Sequence, residues 1–497
     1  MPAFTMKILL VSPQTPDTFW SFKHVLRFVS KKASFPPLGL LTVAAMLPPE
    51  WELKLVDMNV SRLKEADLAW ADYVMISAMI VQKEGVRNIV ARCRARGKTV
   101  IAGGPLFTTG HEAFPEIQHF VLGEAEEIMP QVVEDMRRHR LQSVYKATGW
   151  PDLAQTPVPR WDLIDLRQYV TMPVQFSRGC PFQCEFCDII VMNGRVPRTK
   201  SPEQLIAELE ALRMRGWKEM VFIVDDNFIG DKRRTRALLR EIIEWRRRTG
   251  PEMGFLTEAS VNLADDEELC SLMAEAGFTK VFVGIETPSA EGLAECRKQQ
   301  NRGRDLVEAV RTLQQRGLEV MGGFIVGFDS DGSDIFKRQF DFIQRSGVVT
   351  AMVGLLTALP RTRLYDRLKR EGRLVTEASG NNTDSTLNFK PKLNREFLQS
   401  GYRDLMKKLY EPKIYYQRVR TFLKNHKTED RAPSLRLSRA DFMAFVKSFW
   451  LLGIWYRGRV AYWRFFWGTL LRRPRHFRRA IEFAILGYHF RRVAQEC

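Results

Sequence analysis

The chain has 497 residues, 45% of them hydrophobic and 27% charged, with a formal net charge of +18. That length suggests two to four domains, and the apolar share excludes disorder as a global state. The positive balance points to an anionic partner, either nucleic acid or a membrane surface.

The first third alternates short apolar runs with helical patterns. Strands are predicted at Lys7–Val11, Glu52–Asp57, Tyr73–Ser77, Thr99–Ala102 and, as the last of the series, His119–Leu122. Helices are predicted at Leu38–Leu47 and Val81–Arg96. Strands alternating with helices imply an α/β, Rossmann-like parallel sheet over 1–145. Ligands of such sheets bind beyond the carboxyl ends of the strands. Residues 146–172 read as a linker rich in Pro and Asp. A second βα series follows over 173–365, opening at Val174. Its later strands are predicted at Met220–Val224, Gly254–Ala259, Lys280–Ile285, Glu319–Phe324 and Thr350–Leu355. Six βα units suggest a partial (β/α)6 barrel. Residues 366–497 read as mainly helical, ending in a basic, aromatic tail.

Seven cysteines, an odd number with three inside residues 180–187, do not resemble a secreted disulfide framework. No signal-peptide pattern precedes the first strand, and no charge-free apolar stretch is long enough for a transmembrane helix. A reducing, cytoplasmic setting is expected. Cys180, Cys184 and Cys187 form a CxxxCxxC motif just after a predicted strand. Thiolates hold iron–sulfide clusters. Three of them bind three irons of a four-iron cluster and leave the fourth open to a substrate ligand. Structural zinc takes four ligands, usually in two separated pairs, and no second pair follows. The spacing therefore favours iron over zinc or no metal. Cys93, Cys270 and Cys296 read as ordinary buried residues.

CxxxCxxC after the first strand of a parallel barrel resembles the radical S-adenosylmethionine (SAM) superfamily. The likeness continues through Phe186, Asp225-Asp226-Asn227-Phe228, Glu258, Gly284-Ile285-Glu286 and Gly323-Phe324-Ile325-Val326-Gly327, over about 172–365. By that resemblance Cys180, Cys184 and Cys187 hold a [4Fe-4S] cluster that binds the amino and carboxylate groups of SAM. Reduction, by a donor such as ferredoxin or flavodoxin, cleaves SAM to a 5′-deoxyadenosyl radical. Phe186, Asp225, Glu258, Glu286 and Gly323 are the implied SAM contacts. From the residues alone, the aspartates also read as helix caps and the glycines as turn residues.

A Rossmann-like domain before such a barrel resembles the cobalamin-binding class of the same superfamily. Asp57, Asn59, Ser77, Gly103, Gly104, Gly123 and Glu124 carry the likeness. The class implies cobalamin and methyl transfer to an unactivated carbon, where general-base catalysis has no purchase. The DxHxxG segment of many cobalamin domains is here Asp57-Met58-Asn59, so the cobalt has no axial histidine from it. His111 is the nearest alternative and reads as a solvated loop residue. Nothing resembles GxGxxG, so a dinucleotide is not expected.

Residues 431–497 hold 14 Lys or Arg against three acidic residues, interleaved with aromatics from Phe442 to Trp467. Continuous apolar stretches flanked by arginines fit an anionic membrane surface. They do not fit RNA-binding aromatics spaced on a sheet. A helical cap on the barrel is the structural alternative. Leu409-Tyr410-Glu411-Pro412 and Tyr415-Tyr416-x-Arg418 resemble an uncharacterised domain often found after this core. The hopanoid C-2 methylase family has a related arrangement, which implies a lipid or other hydrophobic substrate. The other readings are a non-methylating radical SAM cyclase, oxidase or coupling enzyme, and a B12- or SAM-sensing module at a membrane.

Overall fold

The computed structural model describes residues 5–427 and 439–496. Cys497 and the 431–438 part of the basic tail lie outside them. The first unit is a parallel sheet of six strands: β1 (Lys7–Ser12), β2 (Glu52–Asp57), β3 (Tyr73–Ser77), β4 (Thr99–Gly103), β5 (His119–Leu122) and β6 (Val144–Lys146). Their order is β2-β1-β3-β4-β5-β6. The last strand is thus not His119–Leu122, as expected, but the short edge strand at the start of the supposed linker. Only Tyr145 of that strand is buried, so no apolar run marks it.

Strand β1 shows why the sheet has three layers. Leu9 and Val11 pack with Val74, Ile76, Val86 and Ile89 on one face. Ile8 and Leu10 pack with Leu40, Ala44, Tyr73 and Val132 on the other. Both faces are covered, as a parallel sheet requires. The strand order reverses between β1 and β3, which opens a crevice at the carboxyl edge.

Six further parallel strands pair in chain order: β7 (Thr171–Val174), β8 (Met220–Ile223), β9 (Gly254–Glu258), β10 (Phe278–Glu286), β11 (Glu319–Val326) and β12 (Ala351–Leu355). Strand β10 shows how the two faces alternate. Val281, Val283 and Ile285 are fully buried under the outer helices. Lys280, Phe282 and Gly284 alternate with them on the lumen side, half-buried. Phe222, Leu256, Met321 and Met352 hold the same half-buried, lumen-side positions on neighbouring strands.

Strands β7 and β12 are the edges of this open barrel, and residues 19–35 run between them. At one edge Thr171 N donates to Ser34 O at 2.9 Å. At the other, Trp20 Nε1 donates to Met352 Sδ at 3.0 Å. The Trp20 ring also meets Phe282 edge-on at 5.5 Å. The N-terminal segment therefore contributes aromatic wall to the lumen.

After β12 the chain is mainly helical, with helices at Arg363–Arg370, Arg395–Leu409, Pro412–Asn425, Arg439–Trp450, Arg459–Arg472 and Phe477–Glu496. The resemblance motifs at 409–418 form a joint with the barrel. Tyr410 OH donates to Ala351 O at 2.6 Å. Fully buried Arg418 lies over the Tyr410 and Tyr415 rings, 5.3 Å from each centroid, and donates to Leu409 O at 3.0 Å. Helix Phe477–Glu496 returns to the N-terminal segment: Phe490 stacks on Phe19 at 4.5 Å. The basic tail thus builds core, yet Trp450, Trp455, Trp467 and Leu471 stay 52–79% exposed. Among the described residues no helix is long and apolar enough to cross a membrane.

Candidate functional site

The cysteine motif leaves the carboxyl end of β7 as a closed excursion. Ser177–Arg178 pairs antiparallel with Arg198–Thr199, so residues 179–197 project from a ribbon. Gly179 has φ 96°, and a Cβ there would stand 2.8 Å from Val196 O. Only glycine fits that turn.

Two carboxylates at the end of β8 hold the excursion. Asp225 Oδ1 accepts from Phe176 N at 2.8 Å, and Oδ2 from Ser177 Oγ at 2.7 Å. Asp226 Oδ2 accepts from Gly179 N at 2.9 Å and Asn193 Nδ2 at 2.8 Å. Neither caps a following helix; Asp231 does that. Burial pushes the Asp225 carboxyl up to about 7.

Three other parts of the protein grip the same loop. From the first unit, Glu124 and Glu126 accept from Arg178 at 2.6 and 2.8 Å, and Arg198 also pairs with Glu124. From the barrel, Cys296 O accepts from Glu185 N at 3.0 Å. From the helical region, Arg367 forks onto Glu185 at 2.7 and 3.1 Å. Glu124, expected to face a cofactor, therefore has its carboxylate engaged by two arginines.

Cys184 is buried, and Cys180 and Cys187 are half-buried. Burial pushes all three thiols up. A strongly positive centre bound there would deprotonate them. Among the described residues no three His, Cys, Asp or Glu side chains converge as one ion requires. Three corners of a larger cluster place no such demand on the thiols. Phe186, between the last two cysteines, tilts toward Phe328 at 6.5 Å.

The remaining lumen-side expectations fall on neighbouring strand ends. Glu258, at the end of β9, makes no side-chain hydrogen bond among the described residues. Burial, then Asp226 and Asp225, push its carboxyl up to about 8. Glu286 ends β10 with φ 65°, a strained conformation for a non-glycine residue. Its Oε1 accepts from Lys298 Nζ at 2.7 Å. Gly323 has no room for a side chain, because a Cβ would lie 2.8 Å from the Phe282 ring.

In the first unit, Ser77, Gly103, Gly104 and Gly123 share the carboxyl edge of β3, β4 and β5. Gly104, φ 91°, lets its backbone approach Ser77: a Cβ would stand 2.5 Å from Ser77 Oγ. Gly123, φ 90°, borders open space. Exposed Met79 follows β3 at this edge. A glycine edge beside an apolar side chain fits the flat face of a macrocycle. Asp57 and Asn59 are tied into the surrounding chain. Asp57 accepts from Asn59 Nδ2 at 2.7 Å and Tyr169 OH at 3.0 Å, and Asn59 Oδ1 accepts from Thr15 N at 2.8 Å. His111 is not a solvated loop residue but sits half-buried, its ring 5.3 Å from Phe120.

Sequence reasoning missed Arg178, Arg198, Asn193, Lys298 and Gln300. Arg178 stands two residues before Cys180 and was the one visible in the motif itself. The others reach the loop only through the fold.

Comparison with known proteins places this geometry. The B12 binding domain model matches residues 27–133, the Radical SAM superfamily model 174–342, and a domain of unknown function, DUF4070, 362–497. An uncharacterized methyltransferase of Synechocystis sp. is 42% identical over 98% of this chain and 91% of its own. The hopanoid C-2 methylase of Rhodopseudomonas palustris is 34% identical over 94% of this chain and 90% of its own. The structure of the radical SAM methyltransferase TsrM from Kitasatospora setae, with cobalamin and a [4Fe-4S] cluster bound, superposes with a TM-score of 0.62. It covers 99% of both chains at 14% identity, a likeness of fold.

Proposed function

The chain belongs to the radical SAM superfamily, in the class that carries a B12-binding domain, and from that premise we propose that it methylates an unactivated carbon of a polycyclic, lipid-like substrate held in the barrel lumen. It is an enzyme whose cofactors are a [4Fe-4S] cluster, SAM and cobalamin. When bound, these supply the one-electron cleavage of SAM and the methyl group.

The observation that carries the substrate class is the lumen itself. Phe222, Leu256, Phe282, Met321 and Met352 line it at successive levels, and Trp20 enters from the N-terminal segment. Lys280 on the same side is engaged by Glu319 and Glu482, so the apolar side chains are what this wall offers, and they suit flat hydrocarbon. The hopanoid C-2 methylase, 34% identical, is named for a polycyclic lipid.

In this reading residues 1–145 hold cobalamin along Ser77, Gly103, Gly104 and Gly123, and 146–172 link them to the barrel. Residues 173–365 hold the cluster on Cys180, Cys184 and Cys187. Asp225 and Asp226 fix the loop by accepting its backbone and side-chain N–H and O–H groups, while Glu258 and Glu286 face SAM from the strand ends. Residues 366–497 brace the loop through Arg367. The same region is read as docking peripherally on an anionic membrane, the source of such a lipid. Exposed Trp455 and Leu471, near Arg457, Arg459 and Arg472, support this.

The test begins with protein purified without oxygen from cobalamin-fed cells. Iron and sulfide near four per chain, with one cobalamin, are expected. Incubation with SAM, a reductant and membrane lipids then yields a product heavier by about 14 mass units, one added methylene. Full cofactor content with no methylated lipid in any polycyclic fraction overturns the substrate class.

A further inference from the structure

We propose that the turn at 297–301 sets the reduction potential of the iron–sulfur cluster, through the amide of Gln300, which reaches Cys184, and the buried ammonium of Lys298, which pairs with Glu286 beside it. The inference rests on the reading of Cys180, Cys184 and Cys187 as cluster ligands.

The turn is built to hold these two groups still. Helix Ala290–Glu295 ends at Cys296, and the chain reverses through Arg297 at φ 57°. Asn301, 1% exposed, donates from Nδ2 to Gly284 O and Ile285 O, both at 3.0 Å. Cys296 O accepts from Glu185 N. The turn is thereby pinned to the end of β10 on one side and to the cysteine loop on the other.

Gln300, itself buried, donates from Nε2 toward Cys184 Sγ at 3.9 Å, within reach for a sulfur acceptor. Lys298 Nζ donates to Glu286 Oε1 at 2.7 Å, and its charge acts on Glu286 first, with Cys184 and Cys187 also in its field. Strand β10 makes room for it: a Cβ at Gly284 would stand 2.7 Å from that nitrogen. The Lys298 side chain is 12% exposed, so water screens its charge little.

Net charge around a cluster and hydrogen bonds to its sulfurs are two determinants of its potential. One-electron reduction by an external donor adds negative charge beside Cys184. An N–H group aimed there and a buried cation nearby stabilise the reduced form more than the oxidised form. The Glu286 carboxylate opposes part of this. Lys298 and Glu286 must therefore move the potential in opposite directions, a signature that general loosening of the loop does not produce.

The experiment is a potentiometric titration of the full-length, cluster-loaded protein without SAM, followed by cluster absorbance and electron paramagnetic resonance. For Lys298→Met, the ratio of reduced to oxidised cluster at fixed potential falls about tenfold, equivalent to about 59 mV for one electron. Lys298→Arg stays near the parent. Gln300→Leu shifts in the same direction as Lys298→Met by less, and Glu286→Gln shifts the opposite way. If Lys298→Met fails to load iron, the Glu286→Gln and Gln300→Leu shifts decide. Parent midpoints in the iron-loaded variants, or shifts of one sign for Lys298 and Glu286, overturn the proposal. Failure of the parent chain to bind iron overturns the cluster reading instead.

Discussion

Arg178, two residues ahead of Cys180, donates to Glu124 of the first unit at 2.6 Å and pairs with Glu126 at 2.8 Å. The side chains of Glu124 and Glu126 are 6% and 2% exposed, so the arginine is their shield from an uncompensated burial. Arg178→Met leaves Glu126 without its cation. Removing one partner of a buried pair costs about 3–5 kcal/mol. A lower Tm is expected, together with faster proteolysis between the first unit and the barrel. Glu126→Gln added to Arg178→Met restores part of the loss. A double variant as labile as the single one contradicts this account.

Cys184→Ala removes the most buried of the three thiols from the cysteine loop. Anaerobic purification is expected to give sharply reduced iron and sulfide with cobalamin content retained, because the two groups sit on different units. Methylation of any substrate is abolished. Product formation by this variant refutes the radical mechanism.

Membrane docking calls for point changes, since helices Arg459–Arg472 and Phe477–Glu496 bury Tyr462, Phe465, Phe483 and Phe490 in the common core. Removing residues 431–497 would unfold the protein as well as the surface. Trp455→Ser with Leu471→Ser, at 79% and 77% exposure, leaves that core intact. The expectation is at least tenfold weaker binding to anionic liposomes at an unchanged Tm. The parent's binding should also weaken as salt rises. Undiminished, salt-insensitive binding by the double variant rules this surface out.

Two buried histidines make the helical region sensitive to acid. Burial holds His426 down to about 3 and His489 down to about 4. Each keeps a backbone contact, to Gly317 O at 3.1 Å and Phe19 O at 3.0 Å. In the unfolded chain both titrate near 6.5, so below that pH the unfolded state binds more protons. Stability is complete above 6.5 and falls toward pH 4, by about 1.4 kcal/mol per pH unit for each histidine. Thermal melts across that window check the slope, and His489→Gln should flatten it.

The parallel sheets and the cysteine motif were readable in the chain because each is a local pattern. Val281, Val283 and Ile285 alternate with lumen residues at the strand period, and CxxxCxxC lies within residues 180–187. Strand β6 was not readable: it buries only Tyr145 and derives its pairing from β5. The lumen contribution of Trp20 was invisible because its partners Phe282 and Met352 lie hundreds of positions away. Glu124 and Asp57 read as cofactor-binding residues at strand ends. Their observed partners, Arg178, Arg198 and Tyr169, come from the barrel ribbon and the linker, which no one-dimensional pattern supplies.

The segment that bridges β7 and β12 also constrains the order in which the protein can mature. Phe19 accepts its hydrogen bond from His489, 470 positions later, and stacks on Phe490. Neither contact can form until translation has passed that point, so this segment lacks its helical backing while the cysteine loop and both sheets are already synthesised. Contacts of such sequence separation carry a large loop-closure entropy and are intrinsically late to form. The interval before that backing arrives is when the segment is most easily displaced and bulky prosthetic groups have their freest access to the interior.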